Sequence, residues 1–243
     1  MTKVQLFVPC FIDQLYPETA FNTIKLLRKA GCEVSYNPNQ TCCGQPAYNA
    51  GFWDEAKSIG LKFLKDFNES DYIVAPSASC VGMVKNGYDD LFTNSMEHNT
   101  CRNMQRNIYE LSDFLVNVLK KEYFGAEMMG TAVYHDSCAA LRECKIKDEP
   151  RKLLAQVGGL EVLEMRDQET CCGFGGTFAV KFEGISSAMA EQKVHNALEV
   201  KADYIISTDS SCLLQIQSYI DKHKMPIKTM HLTDVLTTGW ANI

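Results

Sequence analysis

The chain has 243 residues, 46% of them hydrophobic and 22% charged, with a formal net charge of -6. That balance belongs to a folded globular protein and excludes a disordered or fibrous one, while the acidic surplus excludes the basic face that nucleic-acid binding requires. No stretch approaches the roughly 18 apolar residues that span a bilayer, and the apolar run near Met1 is too brief for a signal peptide, so the expected location is the cytoplasm.

Lys3 to Pro9 reads as a β-rich run ending at Cys10, which therefore sits on the loop leaving a strand. Residues 17–30 carry Phe21, Ile24, Leu26 and Leu27 at helical spacing, with Gly31 as the stop. Cys32 to Tyr36 is a second strand, and the turn Asn37-Pro38-Asn39-Gln40 leads to Thr41-Cys42-Cys43-Gly44. Residues 52–67 form a helix with Trp53, Ala56, Ile59, Phe63 and Phe67 on one stripe, expected to face the core. Asp71 to Pro76 is a third strand, followed through Ser77 by Cys80.

The second half repeats these events. Thr131 to His135 is the strand before Cys138, residues 150–158 are helical, and Leu160 to Leu163 is the strand before Cys171-Cys172-Gly173. A helix over about 185–201 precedes Asp203 to Ser207, an echo of Asp71 to Ala75, and then Cys212. Leu111-Ser112-Asp113-Phe114-Leu115 likewise matches Leu232-Thr233-Asp234-Val235-Leu236.

Chance would produce about 0.03 Cys-Cys-Gly triplets in such a composition, so two signal a duplication. Their escorts repeat as well: 31 residues separate Cys10 from Cys42 and 32 separate Cys138 from Cys171. The expected fold is α/β, with two duplicated halves related by a pseudo-twofold, each a short, mainly parallel sheet flanked by helices. Residues 1–125 and 126–243 are the expected domains, joined near Gly125 to Gly130. Parallel strands send their exit loops to one edge, where Cys10, Cys42, Cys43 and Cys80 converge in one half and Cys138, Cys171, Cys172 and Cys212 in the other. Reduced cytoplasmic thiols in this pattern read as metal or redox ligands rather than disulfides.

Four thiolates suit zinc or an iron–sulfur cluster. Zinc knuckles usually bring CxxC pairs, and the chain has none. Adjacent cysteines instead suit the separated metals of one cluster, and the following glycine lets the backbone approach sulfide. Iron–sulfur is favoured, with zinc conceivable in one site.

The doubled C…CCG…C pattern, together with His135-Asp136-Ser137-Cys138 and Cys171-Cys172-Gly173-Phe174-Gly175-Gly176, resembles the cysteine-rich CCG domain family found in heterodisulfide reductases and in the glycolate oxidase iron–sulfur protein. Among two-domain members, the chain is similar to iron–sulfur components of L-lactate-oxidising systems. The resemblance implies an electron-transfer subunit working with a ferredoxin-type iron–sulfur protein and a companion subunit. The fullest family motif has a fifth cysteine, replaced here by Ser77 and Asp209. That leaves four thiolates, the complement of a [4Fe–4S] cubane, and disfavours the alternative of a disulfide reductase. A zinc-stabilised scaffold is the third reading.

Cys32, Cys101 and Cys144 lie outside the repeat and read as core packing. His135-Asp136 reads as an acid–base pair or as support for a ligand, the latter favoured because its counterpart in the first half falls at about Val8-Pro9. Gly173 to Gly176 lacks the spacing of a dinucleotide fingerprint, and no P-loop is present.

Overall fold

The computed structural model describes residues 1–67 and 72–240. Two four-stranded sheets, parallel throughout, have the orders β2-β1-β3-β4 and β6-β5-β7-β8. The first contains β1 (Thr2–Leu6), β2 (Cys32–Tyr36), β3 (Ile73–Ala75) and β4 (Ile108–Glu110). Its counterpart contains β5 (Glu127–Tyr134), β6 (Gly158–Leu163), β7 (Tyr204–Ser207) and β8 (Lys228–His231).

Both faces of each central strand are buried, and the alternation of a pleated strand divides their side chains between two cores. Leu6, Val74, Tyr134 and Ile206 enter a core common to both halves. Phe7, Ile73 and Ala75 point away into an outer core of the first half, as Val133 and Ile205 do in the second. The halves are thus not beads on a string; each covers one face of the other's sheet.

Their packing is reciprocal, as a twofold relation demands. The helix Pro17–Lys29 of the first half packs on the turn Leu232–Val235 of the second, where Thr19 Oγ1 and Asn22 Nδ2 donate to Asp234 at 2.7 and 2.9 Å. Conversely, the helix Asp148–Leu154 packs on Leu111–Asp113, and Asn117 Nδ2 donates to Glu149 at 2.8 Å.

Several expectations need correction. Trp53 and Phe21, placed on apolar stripes, are 58% and 57% exposed, because Thr19 and Thr23 rather than Phe21 turn inward and the buried stripe of Trp53–Asp66 begins at Ala56. The last strand of each half, β4 and β8, was not recognisable: it is three or four residues long and lies just before the repeated Leu-(Ser/Thr)-Asp. β5 starts at Glu127 and absorbs Gly130 with a register shift. Asp71 lies outside the described residues.

Candidate metal centres

The thiols of each half gather at the carboxyl edge of its sheet. Cys10 opens the short helix Cys10–Leu15 directly after β1. Cys80 lies in the first turn of the helix Ala78–Gly82 after β3, and Cys212 in the first turn of Ser210–His223 after β7. Helix starts present unpaired amide N–H groups and positive dipole ends, which favour anionic sulfur.

Cys10 Sγ and Cys42 Sγ are 3.9 Å apart, and Cys43 interacts with both Cys42 and Cys80. The same chain of contacts links Cys138 to Cys171, Cys171 to Cys172 and Cys172 to Cys212. Cys43, Cys80, Cys172 and Cys212 are buried, whereas Cys10, Cys42, Cys138 and Cys171 are partly exposed. All eight repeated cysteines therefore fall into two sets of four, each within its own half.

The glycine after each pair has a physical task. Gly44 and Gly173 sit at φ +88° and +89°, in the left-handed region that glycine enters without penalty. This turns their amides onto the preceding thiols, Gly44 N to Cys42 Sγ and Gly173 N to Cys171 Sγ, each at 3.4 Å. A side chain is also excluded by space, since a Cβ on Gly173 would meet the Ser186 carbonyl at 2.6 Å and one on Gly44 the Ala56 carbonyl at 3.2 Å.

These contacts set the charge on sulfur. Cys42 is held well below the usual thiol range, chiefly by its hydrogen bond with Cys10, then by those with Cys43 and the Gly44 amide. Cys171 is lowered in the same way by Cys138, Cys172 and the Gly173 amide. Their partners Cys10 and Cys138 are pushed up, first by the shared hydrogen bond and then by burial. Each site thus contains one thiolate-prone sulfur touching neutral thiols. Such a set can bind a thiophilic cation and can reach the charge of a tetrathiolate when one neutralises it.

His135 and Asp136 diverge instead of forming a dyad. Asp136, 1% exposed, is gripped bidentately by Arg151 at 2.8 and 2.7 Å, and Arg151 also reaches Glu164 at 3.0 Å. His135 points the opposite way, toward Cys172 and Cys212. The backbone identifies its true counterpart as Phe7, not Val8: Phe7 N donates to Val74 O and His135 N to Ile206 O. Burial first, and then nearby Lys193, hold the imidazole neutral with a pKa near 3.

Ser77 and Asp209 face each other. Ser77 Oγ donates to Asp209 Oδ1 at 3.1 Å, Ser79 N to the same oxygen at 3.0 Å, and Ser137 Oγ to Oδ2. These two positions, equivalent in the repeat, meet at the junction between halves. His231 tightens that junction, taking a hydrogen bond from Thr233 N on Nδ1 and therefore donating through Nε2 to the carbonyls of Pro76 and Thr208, at 3.0 and 3.1 Å.

Cys32 and Cys101 are buried in apolar cores, and Cys144 lies against Ala78 at the junction. Phe174 meets Phe11 of the other half edge-to-face at 5.4 Å, so the turn after the second Cys-Cys-Gly touches the residue after Cys10.

A twice-built, thiol-rich edge on duplicated parallel sheets defines a class: two-domain α/β proteins that carry sulfur-ligand centres. The chain belongs to the cysteine-rich CCG domain family, which matches at residues 4–85 and 132–217. It is 43% identical to Lactate utilization protein A of Geobacillus kaustophilus (strain HTA426), over 96% of this chain and 98% of that one. With Lactate utilization protein A 2 of Bacillus cereus (strain Q1) it shares 39% identity, over 98% of each. Among solved structures, a hypothetical protein from Helicobacter pylori has the same fold, with a TM-score of 0.63 at 11% identity; the match covers 99% of this chain and 50% of that longer one. No helix among the described residues is long and apolar enough to cross a membrane.

Proposed function

We propose that the chain is an electron-transfer subunit holding one iron–sulfur cluster, of the [4Fe–4S] type, in each half, and that it serves a system oxidising L-lactate to pyruvate. The observation that carries this reading is the twofold occurrence of four converging thiols, two buried and two reaching the surface. Cys10, Cys42, Cys43 and Cys80 would hold the group within residues 1–125, and Cys138, Cys171, Cys172 and Cys212 would hold its counterpart within 126–243. When bound, an iron–sulfur cluster supplies uptake and release of single electrons.

The protein's residues supply the surroundings. Gly44 and Gly173 aim amide hydrogens at sulfur, and the outer cores behind Cys43, Cys80, Cys172 and Cys212 keep water from the inner side. The rims at Cys10, Cys42, Cys138 and Cys171 stay open to a docking protein, and a groove of about 630 Å³ runs past Cys171. With neither a dinucleotide fingerprint nor a P-loop in the sequence, removal of hydride from lactate falls to a partner. A ferredoxin-type iron–sulfur protein and a companion subunit are the partners we assign, and the lactate assignment draws on the names of the relatives.

Zinc is the second reading, and one distance favours it: 3.9 Å between Cys10 Sγ and Cys42 Sγ is close to the edge, about 3.8 Å, of a tetrahedron of sulfurs around zinc. A disulfide reductase needs a thiol where Ser77 and Asp209 instead bond each other. Anaerobic purification with iron, sulfide and zinc analysis and EPR tests the proposal. Iron and sulfide in near-equal amounts, with a cubane signal on reduction, are expected; stoichiometric zinc without sulfide overturns it, and turnover of a small disulfide by the isolated chain would favour the reductase.

A further inference from the structure

The halves differ at one pair of side chains behind the thiols. Phe7 and His135 are equivalent through their backbone hydrogen bonds to β3 and β7. Phe63 and Lys193 are equivalent too, because Gly44 approaches Ala56 and Ile59 as Gly173 approaches Ser186 and Met189, and the next residue four positions along each helix is Phe63 or Lys193. In the first half the pair is aromatic, edge-to-face at 4.9 Å. In the second it is an imidazole and an ammonium, 0% and 2% exposed.

One ring nitrogen of His135 and the Sγ atoms of Cys172 and Cys212 lie within 4.8 Å of one another. Neither ring nitrogen makes a hydrogen bond of normal geometry, the Gln168 backbone giving the ring only a contact outside it, although the ring is completely buried. Leaving such a group without a partner is costly, and the phenylalanine of the other half shows that an apolar ring fits this position of the fold. A ligand to fill is the economical physical explanation. Lys193 Nζ, bonded to the carbonyls of Asp167 and Gln168 at 2.6 and 3.1 Å, sets an ammonium beside the same thiols, its pKa lowered by burial to about 8.

We propose that His135 is a fifth metal-binding side chain of the second site, so that the two halves hold chemically different centres, the second with a nitrogen donor and the more positive potential. This rests on the iron–sulfur reading above. The imidazole adds no charge to the four thiolates, whereas the nearby Lys193 ammonium offsets part of theirs, and it is this positive charge that favours the reduced state of the second site. The first site, backed by Phe7 and Phe63, has neither, and electrons arriving there run downhill to the second.

The test is pulsed EPR and redox titration of the anaerobic full chain, prepared with ordinary and with 15N-labelled histidine, alongside His135→Phe and His135→Gln. We expect a nitrogen coupling on one of two centres that changes with the isotope, and that centre to be reduced first. Either substitution removes the coupling. The isotope comparison needs no variant to fold. Iron and sulfide in both halves without a histidine coupling overturns the proposal while the function stands. Zinc without sulfide defeats the function instead, and zinc X-ray absorption then decides His135: a nitrogen neighbour at part of the zinc supports it, all-sulfur shells overturn it.

Discussion

In the first half the four thiols rest against Phe7 and Phe63; in the second, the same backbone positions hold His135 and Lys193. Everything that places sulfur is common to both: strand order, exit loops, a left-handed glycine and its amide hydrogen. What lies behind sulfur is free to differ, because a side chain there touches the site without shaping the loop that carries it. Duplication of this kind yields two holders of one design with separately adjustable electrostatics.

The strongest way to break that comparison is to remove one set of ligands. Cys43→Ser and Cys172→Ser are each expected to abolish metal binding in one half and leave about half of the iron, read by metal analysis. Loss of all iron from either variant would refute two independently assembled sites.

Glycine substitutions sharpen it next. Gly44→Ala and Gly173→Ala both place a side chain at positive φ, at a cost of about 1–3 kcal/mol, and the closer carbonyl at 2.6 Å makes Gly173→Ala the worse. Chemical denaturation should rank them so, and equal losses would contradict the packing difference.

A third comparison lies at the junction, where Glu110 and His231 occupy equivalent positions before the repeated Leu-(Ser/Thr)-Asp. Each caps its turn, Glu110 accepting from Ser112 N and His231 from Thr233 N. Burial raises the Glu110 carboxyl from 4.5 to about 8, against the lowering effect of Ser112. Its folded pKa lies above the unfolded one, so the folded form binds more protons between these values. Stability is therefore retained below about pH 4.5 and declines as pH rises toward 8, with a limiting slope of about 1.4 kcal/mol for each pH step of one. Glu110→Gln should flatten that part of the stability profile; an unchanged slope would count against a buried, protonated Glu110.

The smallest expected effect is electrostatic. Lys193→Met keeps the volume and removes the charge, so it should lower the potential of the second centre while leaving its nitrogen coupling and the first centre untouched. A shift in both centres would indicate a general loosening instead.

Much of this was legible in the residues. The repeat of Cys-Cys-Gly and its escorts announced the duplication, and short apolar strands alternating with helices implied the parallel sheets that bring Cys10, Cys43 and Cys80 together. The strand Cys32–Tyr36 was readable to the residue, because its flanks Gly31 and Asn37-Pro38 are strong punctuation. β4 and β8 were hidden, since three or four residues carry no period. Trp53 misled because periodicity finds a stripe but not where that stripe leaves the core. His135 was noticed for its neighbour Asp136, yet it continues the hydrogen-bond ladder of β5 by one residue, and the two side chains diverge where the strand ends. Lys193 gave no local signal; only aligning the two helices against their glycines pairs it with Phe63.

The bond between Ser77 and Asp209 has a consequence for how such a chain chooses its partner half. Two copies of the first half placed about the same axis would set hydroxyl against hydroxyl, and two copies of the second would set carboxylate against carboxylate in a buried junction. Only the mixed pair gives Asp209 its three donors, from Ser77, Ser79 and Ser137. Severed between the halves and mixed, the fragments should form heterodimers in preference to either homodimer, the discrimination coming from a repulsion avoided as much as from a bond gained.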